Sequence, residues 1–128
     1  MLLTLTGTVV YGKAKGRTVG MPTANLRVPV GTALPESGVY ATTVRIGEER
    51  FYGVTHVGSR PSVDKSRSIT VETLVLDYSG DLYGRTISVD FYKYLRGTQK
   101  FNSLEEVKRQ VDADCQMARE FFGRQGLD

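Results

Sequence analysis

Short extended segments separated by turns fill most of this chain, and a helical pattern appears only once, close to its end. In residues 86–95, Ile87, Val89 and Phe91 alternate with more polar residues, which is typical of a strand with one buried face. Strands are also predicted over residues 3–11, 26–29, 38–46, 51–57 and 68–78, with a hairpin turn at 47–50 and a polar loop at 58–67. The pattern predicts a mainly β fold, a small antiparallel barrel covered by one helix, because closure leaves no exposed strand edge.

The terminal helix is predicted from its start signal and its apolar period. Ser103 and Glu106 have the spacing of a capping box, in which each side chain satisfies a backbone N–H group near the other. Apolar residues recur at helical spacing at Leu104, Val107, Val111, Cys115, Ala118, Phe121 and Phe122. Gly123 is predicted to end the helix, and Cys115 is interpreted as a buried core thiol rather than a catalytic group.

Length and composition favour a single domain spanning residues 1–128. A chain of 128 residues with 40% hydrophobic and 24% charged residues is long enough to bury a core without disulfides. The net charge of +3 and the pI of about 9.1 are only mildly basic, and no basic stripe with interleaved aromatic residues is evident. A nucleic-acid partner is therefore not expected.

The cysteine and histidine content restricts the location and the metal chemistry. One cysteine, Cys115, excludes an internal disulfide, and with His56 as the only histidine a Cys/His zinc site is not expected. The apolar start of the chain, Met1-Leu2-Leu3-Thr4, is too short for a signal peptide, and no apolar run reaches membrane-spanning length. A cytoplasmic location without a membrane partner is expected, and the sequence is compatible with a further domain upstream of Met1.

A glycine-rich basic segment at residues 12–25 is the strongest local signal for a ligand. Gly12, Gly16 and Gly20 alternate with Lys13, Lys15 and Arg17, and Pro22, Thr23, Ala24 and Asn25 follow. Backbone N–H groups freed by glycine, together with cationic side chains, suit phosphate oxygens. The Thr23 hydroxyl can offer oxygen to Mg²⁺. The segment indicates a nucleotide-phosphate site with a metal, and the alternative is a mobile basic surface loop.

A neighbouring match to the P-loop pattern is rejected. Residues 7–14 nearly fit it, but Ala14 stands where the pattern requires the metal-binding Ser or Thr. The interior residues Thr8, Val9 and Val10 are β-branched and indicate a strand rather than a loop around phosphate.

Glu72 is unusual because it shares a strand face with two leucines. Alternation over residues 68–78 places Thr70, Glu72, Leu74 and Leu76 on one face and Ile69, Val71, Thr73 and Val75 on the other. A carboxylate beside apolar groups at a pocket mouth would be a stronger base. The alternative is a surface Glu72 paired with a Lys or Arg.

Three other polar or aromatic residues allow two interpretations each. His56 can act in chemistry, but a lone histidine more often makes a local hydrogen bond. Arg96 either clamps a ligand or is solvated, and Tyr83 lies in a turn or belongs to the core.

Blocks that carry a family resemblance follow one another along nearly the whole chain. They are Gly12, Gly16 and Gly20 with Pro22-Thr23-Ala24-Asn25, Gly38-Val39-Tyr40, Gly58-Ser59-Arg60-Pro61, Val71-Glu72-Thr73, Asp81-Leu82-Tyr83-Gly84, Tyr94-Leu95-Arg96, and Lys100-Phe101 with Ser103-Leu104-Glu105-Glu106. In this order they resemble the riboflavin kinase family, including the kinase module of bifunctional FAD synthetases.

The resemblance implies a six-stranded antiparallel Greek-key barrel with a C-terminal helix. It implies transfer of the ATP γ-phosphate to the riboflavin 5′-hydroxyl, giving FMN and ADP. By position, Glu72 would be the general base, and Thr23, with Asn25 beside it, would bind Mg²⁺. The implied nucleotide-binding residues are Gly12, Lys13, Gly16, Gly20, Pro22, Thr23, Asn25 and Tyr83, and the implied flavin-binding residues are Arg96 and Phe101. Fusion to, or association with, an adenylyltransferase domain is a further arrangement that the resemblance covers.

Four positions depart from the family pattern. His56 stands where Asn is common, Ser62 where Thr is usual, and Leu74 where His often follows the catalytic Glu-Thr pair. Residues 97–99 lack the acidic residues that are common there. All four concern the flavin pocket and loop closure rather than the implied base or metal ligand.

Two other functions compete with a kinase. The four departures motivate a non-catalytic module that binds flavin or nucleotide. A barrel, a basic pI and seven tyrosines motivate a module that binds single-stranded nucleic acid. The scattered basic residues argue against the second alternative.

Overall fold

A computed structural model describes residues 2–10, 23–29, 31–61, 67–78 and 80–125. In this part of the chain, six strands precede one long helix: β1 (Leu3–Val10), β2 (Thr23–Arg27), β3 (Gly38–Ile46), β4 (Glu49–Pro61), β5 (Arg67–Val75), β6 (Thr86–Arg96) and α1 (Leu104–Gln125). Within these residues, no helix is both long and apolar enough to span a membrane.

The strands close into a barrel in the order β1-β2-β5-β4-β3-β6, and all neighbouring pairs are antiparallel. Strands β3, β4 and β5 follow one another as hairpins, and β6 then returns to pair with β3. This order is that of a Greek key. The structure thus confirms the predicted barrel and, in the part of the chain that it describes, the predicted C-terminal helix.

Alternate side chains fill the barrel interior, as the strand period requires. Leu5, Val89 and Phe91 are fully buried there, and Tyr40 packs edge-on against Phe91 with ring centroids 5.1 Å apart. Ile87 is 1% exposed, so the predicted alternation of β6 is confirmed.

Three buried threonines place a polar line inside this core. The hydroxyl of Thr55 lies 2.9 Å from those of Thr42 and Thr73, and none of the three residues is exposed. Each hydroxyl therefore has a partner, which avoids the cost of burying an unsatisfied polar group.

Helix α1 covers one side of the barrel from the outside. An apolar patch on the outer face of the barrel packs against Ala118 and Phe122 of the helix. It consists of Val54 of β4, Leu74 of β5 and Leu76, just after β5. Tyr52 stacks on Phe122 with ring centroids 4.6 Å apart. The face that Glu72 shares with the two leucines is therefore the outer face beneath α1, and Val71, Thr73 and Val75 point into the barrel.

Several predicted boundaries are wrong. Strand β4 continues to Pro61 instead of ending at residue 57, because its pairing with β5 runs through Pro61 opposite Arg67. Strand β2 begins at Thr23 rather than at residue 26, since Thr23 already pairs with Leu74.

The ends of α1 also differ from the prediction. Ser103 Oγ accepts a hydrogen bond from Glu106 N at 3.2 Å, but Glu106 Oε2 accepts from Asn102 N at 2.9 Å, one residue earlier than a capping box requires. Gly123 does not end the helix, which continues to Gln125. Cys115 is half-buried against the outer patch rather than in the barrel core.

Candidate active site

One row of directly paired residues crosses all six strands. Asn25 on β2 lies opposite Val10 on β1 and Glu72 on β5. Glu72 lies opposite His56 on β4, and the row continues through Val39 on β3 to Arg96 on β6. Because directly paired residues share a face, this register brings together four of the polar residues singled out in the sequence.

The pairing of β2 with β5 assembles the predicted base and metal ligands. Thr23 and Asn25 are half-buried, and the residues between and after them, Ala24 and Leu26, point into the barrel. Asn25 is directly opposite Glu72, and Thr23 is its diagonal neighbour, so their Cβ atoms lie roughly 5 Å and 7 Å away from that of Glu72. Among the side chains that the structure describes, no Lys or Arg forms an ion pair with Glu72.

A cavity of about 890 Å³ opens beside Glu72, between the barrel wall and α1. Its barrel side is lined by Thr23, Val39, Val54, His56, Glu72 and Leu74. The opposite side is formed by residues 98–103, together with Leu104, Val107, Val111 and Asp114 of α1. The surface of the cavity is mostly apolar, with polar groups among its lining residues, which is the usual character of a site for an organic ligand.

Arg96 is fixed by α1 rather than solvated. Its Nε donates to Asp114 Oδ1 at 2.9 Å and its Nη2 donates to Asp114 Oδ2 at 2.8 Å. Gln110 Nε2 also donates to Asp114 Oδ1 at 3.1 Å. The side chains of Arg96 and Asp114 are only 17% and 2% exposed, so this bidentate pair forms part of the cavity wall.

Phe101, the second residue implied to bind flavin, lines the same cavity. The Arg96 guanidinium lies 5.9 Å from the centroid of the Phe101 ring, within the range of a cation–π contact. Arg96 Nη1 also donates to Gly97 O at 3.1 Å. Arg96 therefore supports the segment that carries Phe101.

His56 connects the barrel wall to that segment. Its Nε2 lies 3.1 Å from Thr98 Oγ1, and both residues line the cavity. Gly58, the next position on this face of β4, leaves room for the ring, since a Cβ there would lie 3.2 Å from His56 Cε1. His56 thus makes a hydrogen bond, but its partner is 42 positions along the chain rather than local.

Tyr83 lies apart from the cavity. It is 50% exposed in a turn where its backbone N–H donates to Asp81 Oδ1 at 2.9 Å, so the turn is confirmed and the core interpretation is wrong. Gly84 N donates to Val9 O at 2.9 Å, which places the turn beside the end of β1. The chain enters residues 11–22 at that end.

Residues 11–22 lie outside the described part of the chain, and with them the predicted nucleotide-binding positions Gly12, Lys13, Gly16, Gly20 and Pro22. The strands that bracket them are described. Val10 and Asn25 are directly paired, and Asn25 is in turn paired with Glu72.

Sequence reasoning missed Asp114, which is 1% exposed. The signal was present, because Asp114 falls within the apolar stripe of α1, three residues after Val111 and four before Ala118. A carboxylate on a buried helix face requires a cation or several donors. Its partner is 18 residues away, and nothing in the local pattern indicates Arg96.

Comparison with known proteins matches the sequence of this chain to one family. The family model described as Flavokinase: Riboflavin kinase matches residues 2–122. The bifunctional riboflavin kinase/FMN adenylyltransferase of Escherichia coli strain K12 is 46% identical over 121 residues, which is 93% of this chain and 38% of that protein. This chain therefore spans less than half the length of that curated relative.

Two solved structures share the fold. The structure of a macrolide-efflux protein from Streptococcus pneumoniae is 34% identical with a TM-score of 0.86, and the match covers 91% of this chain and 38% of that one. The riboflavin kinase from Trypanosoma brucei is 21% identical with a TM-score of 0.62, covering 94% of this chain and 79% of that one. Because the family model covers nearly the whole chain, this protein belongs to the riboflavin kinase family.

Proposed function

We propose that this chain is a riboflavin kinase, which transfers the γ-phosphate of ATP to the 5′-hydroxyl of riboflavin and releases FMN and ADP. The observation that carries the proposal is the position of Glu72 between two different environments. Glu72 is paired with Asn25, beside the strand ends that bracket the glycine-rich segment, and it also lines the apolar cavity.

The cavity suits a flavin ring system better than a nucleotide phosphate. Val39, Val54, Leu74, Val107 and Val111 supply apolar surface, and the aromatic Phe101 lies at the opposite wall. A volume of about 890 Å³ is within the range of sites for organic ligands of this size. Arg96 and Asp114 neutralise each other, so they shape the wall without adding net charge.

Glu72 is proposed as the general base. In the transfer, the 5′-hydroxyl oxygen bonds to the γ-phosphorus while the bond from that phosphorus to the β–γ bridging oxygen breaks and ADP leaves. The hydroxyl proton goes to the Glu72 carboxylate, which lines the cavity where the acceptor would lie. Positioning accounts for most of the remaining catalysis in such reactions.

The residues beside Glu72 fit a hard cation that accompanies ATP. The Thr23 hydroxyl and the Asn25 amide offer neutral oxygen ligands on the same outer face of β2, and Mg²⁺ commonly takes few protein ligands together with substrate phosphates. We propose that these two residues hold Mg²⁺, which when bound would neutralise phosphate charge. Gly12, Lys13, Gly16, Gly20 and Pro22 are proposed to contact the nucleotide, with Tyr83 at the adjoining turn.

Location and partners follow from this role. We propose a single kinase domain over residues 1–128 acting in the cytoplasm, where riboflavin and ATP are its substrates. The curated relatives are bifunctional and longer than this chain, which supports an adenylyltransferase domain as a fused or associated partner.

The test is a chromatographic assay of purified protein with riboflavin, ATP and Mg²⁺. FMN that forms only when both ATP and Mg²⁺ are present is the expected result. Saturable riboflavin binding without FMN would instead indicate the non-catalytic binding module. The absence of both riboflavin binding and FMN formation would contradict both functions.

A further inference from the structure

The 97–103 segment forms a cavity wall that has little regular structure of its own. It lies between β6 and α1, and residues 97–100 are all exposed. A wall of this kind faces a ligand in a defined position only if side-chain contacts hold it, because exposed loops open at low free-energy cost. Two such contacts hold its first residues, Gly97 and Thr98, and the hydrogen bond from Asn102 N to Glu106 Oε2 holds its end.

The first contact fixes the segment to α1 and β6. Arg96 donates to Gly97 O and supports Phe101, while Asp114 holds the guanidinium. This contact ends at Gly97, and Thr98, the exposed residue that follows, is held separately.

The second contact fixes Thr98 to the strand pair that carries Glu72. His56 Nε2 lies 3.1 Å from Thr98 Oγ1, and His56 is the direct cross-strand partner of Glu72. The imidazole is half-buried, and its ring leans toward Gly58, where a larger residue would crowd it. The hydrogen bond therefore connects the 97–103 segment to β4 at the residue directly opposite Glu72.

We propose that His56 is a positioning residue, which holds Thr98 and with it the 97–103 segment across the cavity beside Glu72. Only one part of this inference rests on the proposed function, namely the predicted effect on the KM for riboflavin. Its structural content, that His56 orders this segment, holds with or without catalysis. The imidazole acts through Thr98 and is assigned no step in phosphate transfer.

The first measurement is amide hydrogen exchange of residues 97–103 in the chain without ligand. His56→Leu and Thr98→Val each remove one partner of the bond, and each should speed exchange in this segment about three- to tenfold, the range expected for one net hydrogen bond. The double variant should be no faster than either single variant. Independent, additive effects of the two changes would overturn the proposal.

The second measurement is the KM for riboflavin in FMN formation. The same variants should raise KM about three- to tenfold, with a smaller change in kcat. His56→Gln, which carries an amide nitrogen at a reach similar to Nε2, should restore both readouts to within about twofold of the unsubstituted chain. A Gln variant as impaired as the Leu variant would contradict the proposed role.

A matched control removes an equivalent hydroxyl far from the cavity. Thr6 Oγ1 lies 2.9 Å from Ser88 Oγ in an exposed pair on β1 and β6, so Thr6→Val should change neither exchange at 97–103 nor KM.

If the unsubstituted chain makes no FMN but the exchange pattern is as expected, the proposed function fails and the positioning role stands. If FMN forms but exchange and KM do not respond, the positioning role fails alone.

Discussion

Two arginine–carboxylate pairs on the outside of the same barrel have almost the same geometry and different surroundings. Arg45 donates to Asp90 at 2.9 and 3.0 Å, and Arg96 donates to Asp114 at 2.9 and 2.8 Å. The Arg45 side chain is 50% exposed, whereas that of Arg96 is 17% exposed. The arginine of one pair is thus half-exposed to water, and the arginine of the other lies in a cavity wall.

The partners of each carboxylate explain what each pair does. Asp90 also accepts from Thr4 Oγ1 at 2.6 Å and from Thr43 Oγ1 at 3.3 Å, so it joins β1, β3 and β6. Asp114 instead joins β6 to α1 beside Phe101. The first pair closes the barrel, and the second sets the position of the helix and the 97–103 segment around the cavity.

The largest effect is expected from Asp114→Ala. It leaves the mostly buried Arg96 without its carboxylate, and losing one partner of a buried pair costs about 3 kcal/mol. Riboflavin affinity should fall at least about tenfold, because Arg96 no longer holds the wall. Urea unfolding and riboflavin titration measure the two effects. Affinity equal to that of the unsubstituted chain would show that the pair does not shape the cavity.

Unlike Asp114, Asp90 is expected to make the folding stability depend on pH. Burial alone would raise the pKa of Asp90, but the hydrogen bonds from Arg45 and Thr4 and the charge of Arg45 outweigh it and hold that pKa below its ordinary value. A lowered folded-state pKa adds stability that is present above the unfolded-state pKa, about 4, and is lost as pH falls through the folded-state pKa.

Asp90→Asn should therefore lower stability at pH 7 by about 1–2 kcal/mol and flatten the loss of stability below about pH 4. The KM for riboflavin should stay unchanged, since Asp90 does not line the cavity. Unfolding followed from pH 7 to pH 2 measures this. The same acid slope in both proteins would mean that Asp90 is not linked to folding.

The reactivity of the Cys115 thiol should respond to loss of Asp114 but not to loss of Asp90. Burial, followed by the nearby charge of Asp114, raises the pKa of the Cys115 thiol from 9.0 to about 11, so its thiolate fraction near pH 8 is about a hundredfold lower than ordinary. Alkylation with iodoacetamide should be slow in the unsubstituted chain. Asp114→Ala should speed it severalfold, and Asp90→Asn should not. Equal rates in all three proteins would contradict this distinction.

Most of the barrel could be predicted from the sequence because strand alternation is a local signal. Ile87, Val89 and Phe91 were assigned to a buried face and are at most 1% exposed. The prediction that Glu72, Leu74 and Leu76 share one strand face was also correct. Only the structure shows that this face lies outside the barrel under α1. Parity along a strand is local, but which side is inside depends on the closed sheet.

The errors arose where long-range contacts outweigh local signals. Gly58 and Pro61 indicate a loop, yet pairing with β5 extends β4 through both. Gly123 resembles a helix stop, but α1 continues through it. The Arg96–Asp114 and His56–Thr98 contacts join residues 18 and 42 positions apart, which no local period can indicate.

The most direct test of the account is Glu72→Gln, which keeps the size and polarity of the side chain and removes its ability to accept the hydroxyl proton. We expect kcat for FMN formation to fall at least about a hundredfold, while riboflavin and ATP bind as in the unsubstituted chain. Loss of turnover with retained binding would support Glu72 as the base between the two substrates. Turnover close to that of the unsubstituted chain would contradict it.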